Sequence, residues 1–296
     1  MKKKLHPRPV DIMIAGAQKA ATSSLQRYMG EHPDVITHFA HEFTYFFLEE
    51  EWKQGYDKRY EYQFGEIDNS KHVLAKNAGI MYWEPALQHL KEHNPEVKII
   101  IVLRNPVDRA YSAFWFARWR GHEPLESFEE AIRSNPNRMH SFISRSIVDY
   151  IGRGEYARQI ENVYRYFDKS QVLILMEDEM KSDLKRVIKR AFYFSGLDSS
   201  FVPDIEKKYN ESSRSVIPKI SQWMRDDNSS FKGLLKSLLS PKLLIRAKYK
   251  VENLNTTGFI PPPMNPETRK YLIDLYKPLN ERLEKLLDLD FSSWNK

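Results

Sequence analysis

The stretch from Asp11 to Met29, DIMIAGAQKAATSSLQRYM, constrains this chain more than any other. Ile12 to Ala15 reads as a buried strand, Gly16 to Ala21 as a loop of small residues, and Thr22 to Ser24 as the opening of a helix. A strand that passes through such a loop into a helix builds an anion site. The loop amides lack partners, and the helix dipole is positive at that end. Lys19 adds a full charge inside the loop, and Thr22, Ser23 and Ser24 add hydroxyls. The expected ligand carries a phosphate or a group of the same shape. The spacing is not that of the phosphate loop G-x-x-x-x-G-K-[ST]. Lys19 comes three residues after Gly16, and Ala20-Ala21 stands where glycine is expected. Taken alone, an ordinary strand-to-helix turn is the plainer alternative.

Residues 97–103, VKIIIVL, are apolar almost throughout, as in a strand covered on both faces of a parallel sheet. Asn105 is a good N-cap, Pro106 suits the first helical position and Asp108 falls at the third, so a helix is predicted from Pro106 to about Arg120. Arg104 then lies at the carboxyl end of a central strand, where open α/β sheets bind ligands. Ser112 lies two turns into the helix. Short strands are predicted at Val35–Thr37 and Val73–Ala75, the latter followed by Lys76-Asn77, and a third strong strand at Val172–Met176. Helices are predicted at Glu84–His93, from Tyr156 to Phe167, at Leu184–Phe194 and at Pro266–Leu287, with a shorter one within 124–134. Residues 56–62 read as helical or irregular and 138–146 as less regular. This alternation predicts an α/β fold with a parallel sheet.

Of the 296 residues, 46 are Lys or Arg and 40 are Asp or Glu, a net charge of +6. That balance suits anionic small molecules, acidic glycans or a membrane surface without choosing among them. There is no cysteine, hence no disulfide and no Cys-ligated zinc, which fits a reducing compartment. MKKKLHPRPV is basic but no apolar run follows it, and no stretch approaches the roughly 18 apolar residues of a membrane span. The expectation is a cytoplasmic protein of one domain, 1–296. Residues 204–230 read as polar and irregular and contain Lys207, Lys208 and Arg214. Residues 231–250 hold six cations and no acid between leucines. They suit a membrane surface or an acidic polymer, or form a lid helix with a solvated basic face. The whole stretch 204–263 is the expected lid and acceptor-binding segment.

Glu42 stands before the aromatic run 43–47 in HEFTYFFLEEEW. Desolvation by aromatic neighbours would move a carboxylate toward the working range of a general base; the plainer reading is a surface acid beside core aromatics. Phe114, Trp115, Phe116 and Trp119, with Arg118 and Arg120, either stack on an acceptor or form core with a solvated edge.

Together these pieces resemble the sulfotransferases that use 3′-phosphoadenosine 5′-phosphosulfate (PAPS), most closely the branch of heparan sulfate N- and O-sulfotransferases and their bacterial relatives. GAQKAATSSL is similar to the family's 5′-phosphosulfate loop, HEFTYF to the segment that carries the catalytic Glu, and IIIVLRNPVDRAYSAF to the 3′-phosphate motif. The C-terminal stretch from Pro266 to Trp294 resembles the family's ending. The resemblance implies the sulfotransferase fold, a P-loop-like parallel sheet between helices in three layers, and sulfuryl transfer from PAPS to a hydroxyl with PAP as product.

It also implies roles. Lys19 would stabilise charge on the departing 5′-phosphate. Ala20, Ala21, Thr22, Ser23 and Ser24 would offer amides and hydroxyls to the phosphosulfate. Arg104 and Ser112 would bind the 3′-phosphate and Glu42 would be the base. Arg214 would match a late basic residue that closes over the nucleotide, and His41 and Lys76 would lie near the acceptor. No metal is expected, since Lys and Arg neutralise the anions, and no nucleic acid.

Several residues depart from the family pattern. Ala20-Ala21 replaces a loop that usually contains glycine, so the backbone must avoid positive φ or accept strain. His41 replaces the usual Lys, and Phe116 stands where the N-sulfotransferases place a His. Two rivals stay in view. A P-loop kinase would want Gly-Lys-Ser/Thr and an Asp ending a strand, where this chain has Arg104. A non-catalytic PAP- or polyanion-binding module would keep Arg104 and Ser112 but need no base.

Overall fold

Ile12, Met13, Ile14 and Ala15 are fully buried in strand β1 (Ile12–Gly16) at the centre of a parallel sheet. The structure is a computed structural model that describes residues 5–134, 138, 142–206, 213–215, 256–258 and 260–296. The described residues fall into two compact units, the first from 5–103 and 162–206, the second from 104–161, 213–215, 256–258 and 260–296.

The first unit holds the sheet. Its strands are β1, β2 (Val35–Thr37), β3 (His72–Lys76), β4 (Lys98–Leu103) and β5 (Val172–Met176), in the order β2-β3-β1-β4-β5, and every pairing is parallel. The β-branched run Ile99 to Val102 is buried in full, as a two-sided parallel strand requires. β3 lies on one side of β1 and β4 on the other, so the chain changes direction of growth at β1. In doubly wound sheets the ligand crevice opens at the carboxyl ends of strands flanking such a switch. Helices flank the sheet. α1 (Thr22–Met29) packs on β1 and β3, and α9 (Glu177–Ser182) and α10 (Leu184–Phe194) on β5. α2 (Glu49–Gln54), α3 (Tyr56–Gln63) and α4 (Glu84–His93) complete the set.

The second unit opens with α5 (Pro106–Trp119), where Asn105 accepts a hydrogen bond from Val107 N at 2.9 Å, the N-cap read from the sequence. α6 (Phe128–Arg133), α7 (Phe142–Val148), the start of α8 (Tyr156–Tyr166) and α11 (Pro266–Leu287) follow. Leu272 and Tyr276 of α11 share one apolar core with Val107 and Phe114 of α5. Two charged side chains are buried here, Arg109 with one carbonyl partner and Glu123 with a full set. Arg109 donates to the carbonyl of Tyr150, and the Glu123 carboxylate accepts from Arg138, from Leu125 N and from the Tyr150 hydroxyl at 2.7 Å. Strands β6 (Ser213–Ser215) and β7 (Thr256–Gly258) pair antiparallel.

The structure corrects some expectations. Residues 142–148 are helical where 138–146 read as less regular, and 213–215 form a strand inside a segment read as irregular. Of the two readings left open for 56–62, the helix is the one found, at Tyr56–Gln63. Lys207, Lys208, the basic segment 231–250 and most of the expected lid lie outside the described residues. No helix among the described residues is long and apolar enough to cross a membrane.

Candidate active site

β1 ends where Gly16 passes Met81. A Cβ at Gly16 would lie 2.1 Å from the Met81 sulfur, so any larger residue there would force the Met81 side chain to move. Ala17 N still donates to Val102 O of β4 at 2.7 Å, and beyond it the chain leaves the sheet. Lys19 and Ala21 both adopt left-handed backbone, with φ of 67° and 59°, and Ala20 between them is fully buried. The loop therefore takes the strained course rather than avoiding positive φ. Ala21 is the N-cap of α1 and has no side-chain oxygen, so no side chain caps the helix, and its first turn holds no acid. Thr22 and Ser23 are the first helical residues, whose N–H groups have no partner within a helix. Ser24 N instead donates to Ala21 O at 3.0 Å. An uncapped, acid-free and largely buried helix opening is a cradle for an anion.

Beside this cradle the structure brings together Ser23, His41, Glu42 and Lys76. The cause is local. β2 ends at Thr37, paired with Leu74, but β3 runs on to Lys76. The groups of Lys76 that face β2's side find other partners: its N–H donates to His38 Nε2 at 3.0 Å and its carbonyl accepts from Phe43 N at 2.8 Å. Asn77 Nδ2 donates to Phe43 O at 3.1 Å. The aromatic run anchors this segment, with Phe43, Tyr45 and Phe46 buried against Phe64, Trp52 and His93. Glu42 is thereby set against Lys76.

Lys76 is fully buried, and its ammonium donates to Glu42 Oε1 at 2.8 Å, to Ser23 Oγ at 3.0 Å and to the carbonyl of His41. An ammonium has three protons, and each finds an acceptor. Glu42 Oε2 accepts from Ala78 N at 3.0 Å. The Glu42 side chain is 40% exposed. Its environment is an ion pair open to solvent on one side, not the apolar pocket that the aromatic run suggested.

Arg104 follows β4 directly in the chain and begins the second unit, where its carbonyl accepts from the Tyr156 hydroxyl at 2.9 Å. Ser112 is half-buried on α5. Arg214 lies in β6, its backbone paired with Thr257. Phe116 carries the Arg120 guanidinium over its ring at 4.9 Å. Among the described residues no group of three His, Asp or Glu side chains is arranged to hold a metal ion. Sequence reasoning passed over His38 and Ala78. A solitary His among aromatics gives no periodic signal, and a backbone N–H is invisible to side-chain patterns.

The profile of the sulfotransferase domain matches residues 9–236. The chain belongs to the sulfotransferase domain family. It is 26% identical to the bifunctional heparan sulfate N-deacetylase/N-sulfotransferase 1 of Xenopus laevis over 97% of this chain and 30% of that protein. It is 27% identical to the corresponding type 4 protein of Mus musculus over 93% of this chain and 29% of that one. The chain thus spans about three-tenths of the length of these curated relatives. A sulfotransferase structure from Alicyclobacillus acidocaldarius superposes with a TM-score of 0.70 at 23% identity, covering 99% of this chain and 100% of that one. The sheet and its flanking helices are therefore the sulfotransferase fold.

Proposed function

We propose that this sulfotransferase domain moves the sulfuryl group of PAPS onto a hydroxyl of a glycan, a glycolipid or a small secondary metabolite, leaving PAP. The observation that carries this reading is the uncapped, acid-free opening of α1 with the Lys76–Glu42 ion pair set against its Ser23 hydroxyl. An anion cradle beside a carboxylate held on both oxygens is what transfer to a hydroxyl needs. PAPS supplies the activated sulfuryl group when bound.

The chain's own residues do the rest. Lys19, the amides of Ala21, Thr22 and Ser23 and the hydroxyls of Thr22, Ser23 and Ser24 hold the 5′ end and the charge that develops there, which is preorganised electrostatic stabilisation; the amides of Ala20 and Ser24 already donate to Ala17 O and Ala21 O. Arg104 and Ser112 hold the 3′-phosphate, and Arg214 serves the nucleotide as a later basic residue. Glu42 takes the proton from the acceptor hydroxyl. Each of its oxygens receives one donor from the protein and keeps a further lone pair for that hydrogen bond. Its exposure gives the acceptor access. His41 lies on the acceptor side, and Lys76 acts there through Glu42. The cations neutralise the anions without a metal.

Calorimetric titration with PAP at fixed salt, with ATP and ADP as controls, tests this reading. Micromolar PAP binding that collapses in Arg104→Ala, with no ATP binding, is the expected result. Tight ATP binding without preference for PAP would overturn it in favour of a kinase. In turnover with PAPS, Glu42→Gln should lose about 10²–10⁴-fold, the usual share of proton transfer. Full activity in that variant would place the base elsewhere.

A further inference from the structure

Lys76 can set the distance between cradle and base only if its own main chain is fixed. The sheet does not fix it on the β2 side, because β2 stops at Thr37 while β3 continues. Phe43 N serves the Lys76 carbonyl at 2.8 Å, and the group that replaces the missing ladder partner of the Lys76 N–H is a side chain. His38 is 4% exposed, and its Nε2 accepts the Lys76 N–H at 3.0 Å. The same nitrogen lies 3.1 Å from Nε2 of Gln26, itself buried on α1. Gln26 also donates to Thr37 Oγ1 at 2.9 Å, and Thr37 Oγ1 donates to Leu74 O at 3.0 Å. The ring packs between Phe43 and Phe64, at centroid distances of 5.7 and 5.8 Å. Helix α1 therefore meets β3 twice. At its mouth Ser23 accepts from the Lys76 ammonium, and one turn further in Gln26 meets the histidine that holds the Lys76 main chain.

We propose that His38 and Gln26 are positioning residues of the transfer reaction, fixing the Lys76 backbone so that its ammonium spans Ser23 and Glu42. The proposal rests on the reading of Glu42 as the base. His38 takes no proton itself. Burial, and then the nearby Lys76 charge, lower its pKa to about 3, so it stays a neutral acceptor at any working pH. A buried imidazole used in this way is replaceable by another acceptor of the same reach and not by a hydrocarbon. Gln offers its Oε1 near the place of Nε2; Leu offers nothing to the Lys76 N–H.

The test uses the full chain with lysine side chains labelled with ¹⁵N at Nζ. A buried ammonium held by three acceptors exchanges slowly enough to give a cross-peak, and the peak is assigned by its response to Glu42→Gln. In the wild type it should move when PAP is added. In His38→Leu it should shift or vanish while calorimetric PAP binding persists, and in His38→Gln it should return. With an acceptor found by screening, kcat should fall by up to about 10²-fold in His38→Leu, the scale of a small misplacement, with KM for PAPS little changed, and His38→Gln should recover most of it. A wild-type peak position in folded His38→Leu, or a His38→Gln as impaired as His38→Leu, would overturn the proposal. If His38→Leu does not fold, Gln26→Leu is read by the same criteria. A wild type that binds no PAP would instead sink the functional reading beneath it, so the two failures are distinguishable.

Discussion

Ala21 shows how one residue can decide the chemistry of a loop. A non-glycine residue in left-handed backbone costs roughly 1–2 kcal/mol, and Ala21 sits at φ 59° with Lys19 at φ 67°. The sequence posed the alternatives, strain or avoidance, but it could not choose, because φ is set by where β1 leaves the sheet and where α1 must begin. Ala21→Gly relieves the strain and adds the freedom of glycine to the unfolded chain, which offsets roughly 0.5–1 kcal/mol. The expected net effect is a gain of about 0.5–1 kcal/mol, seen by calorimetry as a melting temperature higher by about 1–4 °C. A lower melting temperature would mean that the alanine methyl contributes packing worth more than the strain. Glu42 was legible as a candidate from its place before the aromatics. Its real setting depends on Lys76, which is 34 residues away in the chain, and no local pattern carries that information.

At the scale of elements, the two helices that follow β1 and β4 are built differently at their starts. α5 satisfies its first turn from within, through Asn105 Oδ1 to Val107 N; α1 has no side-chain cap. Only half of that contrast was readable: Asn105-Pro106 is a cap signal, but Thr22, Ser23 and Ser24 are cap-forming residue types too, and the structure alone puts Ala21 in the cap position. Asn105→Ala should therefore cost about 1 kcal/mol, within a range of about 0.5–2. The measurement is the urea midpoint with the m-value held constant. An unchanged midpoint would mean that solvent replaces the cap without loss. The long periodic helices and the apolar strands were legible because burial on a fixed face repeats along them. Of the short elements, Val35–Thr37 and Phe128–Arg133 were also legible, and others were not. α2 and α9 have six residues each, too few for a period. β6 and β7 are three-residue strands of Ser, Arg, Thr and Gly whose pairing joins residues 213–215 to 256–258.

For the molecule as a whole, the parallel sheet followed from the order of strands and helices, but the position of β1 between β3 and β4 came only with the structure. That order packs two histidines into the first unit without charge. Burial lowers His93 to about 4 and His38 to about 3, against 6.5 for an ordinary imidazole. Val10 N donates to His93 Nε2 at 3.0 Å, as Lys76 N does to His38, so each fold contact uses the neutral ring. The sign of the pH dependence follows. Below pH 6.5 the unfolded chain takes up protons on both rings and the folded one does not, so stability is full above 6.5 and falls as pH falls toward 4. Each ring contributes a slope of at most about 1.4 kcal/mol per pH unit in that window. Glu51 opposes this above its ordinary value of 4.5, since burial raises its pKa and its folded form gains a proton first as pH falls. Two rings act against that one carboxyl. Urea unfolding at pH 7, 6 and 5 should show a falling midpoint, and His38→Gln, which cannot titrate, should remove about half of the slope. A midpoint that is flat from pH 7 to 5 would mean that the unfolded chain gains no more protons than the folded one, and that the two rings are not held neutral by the fold.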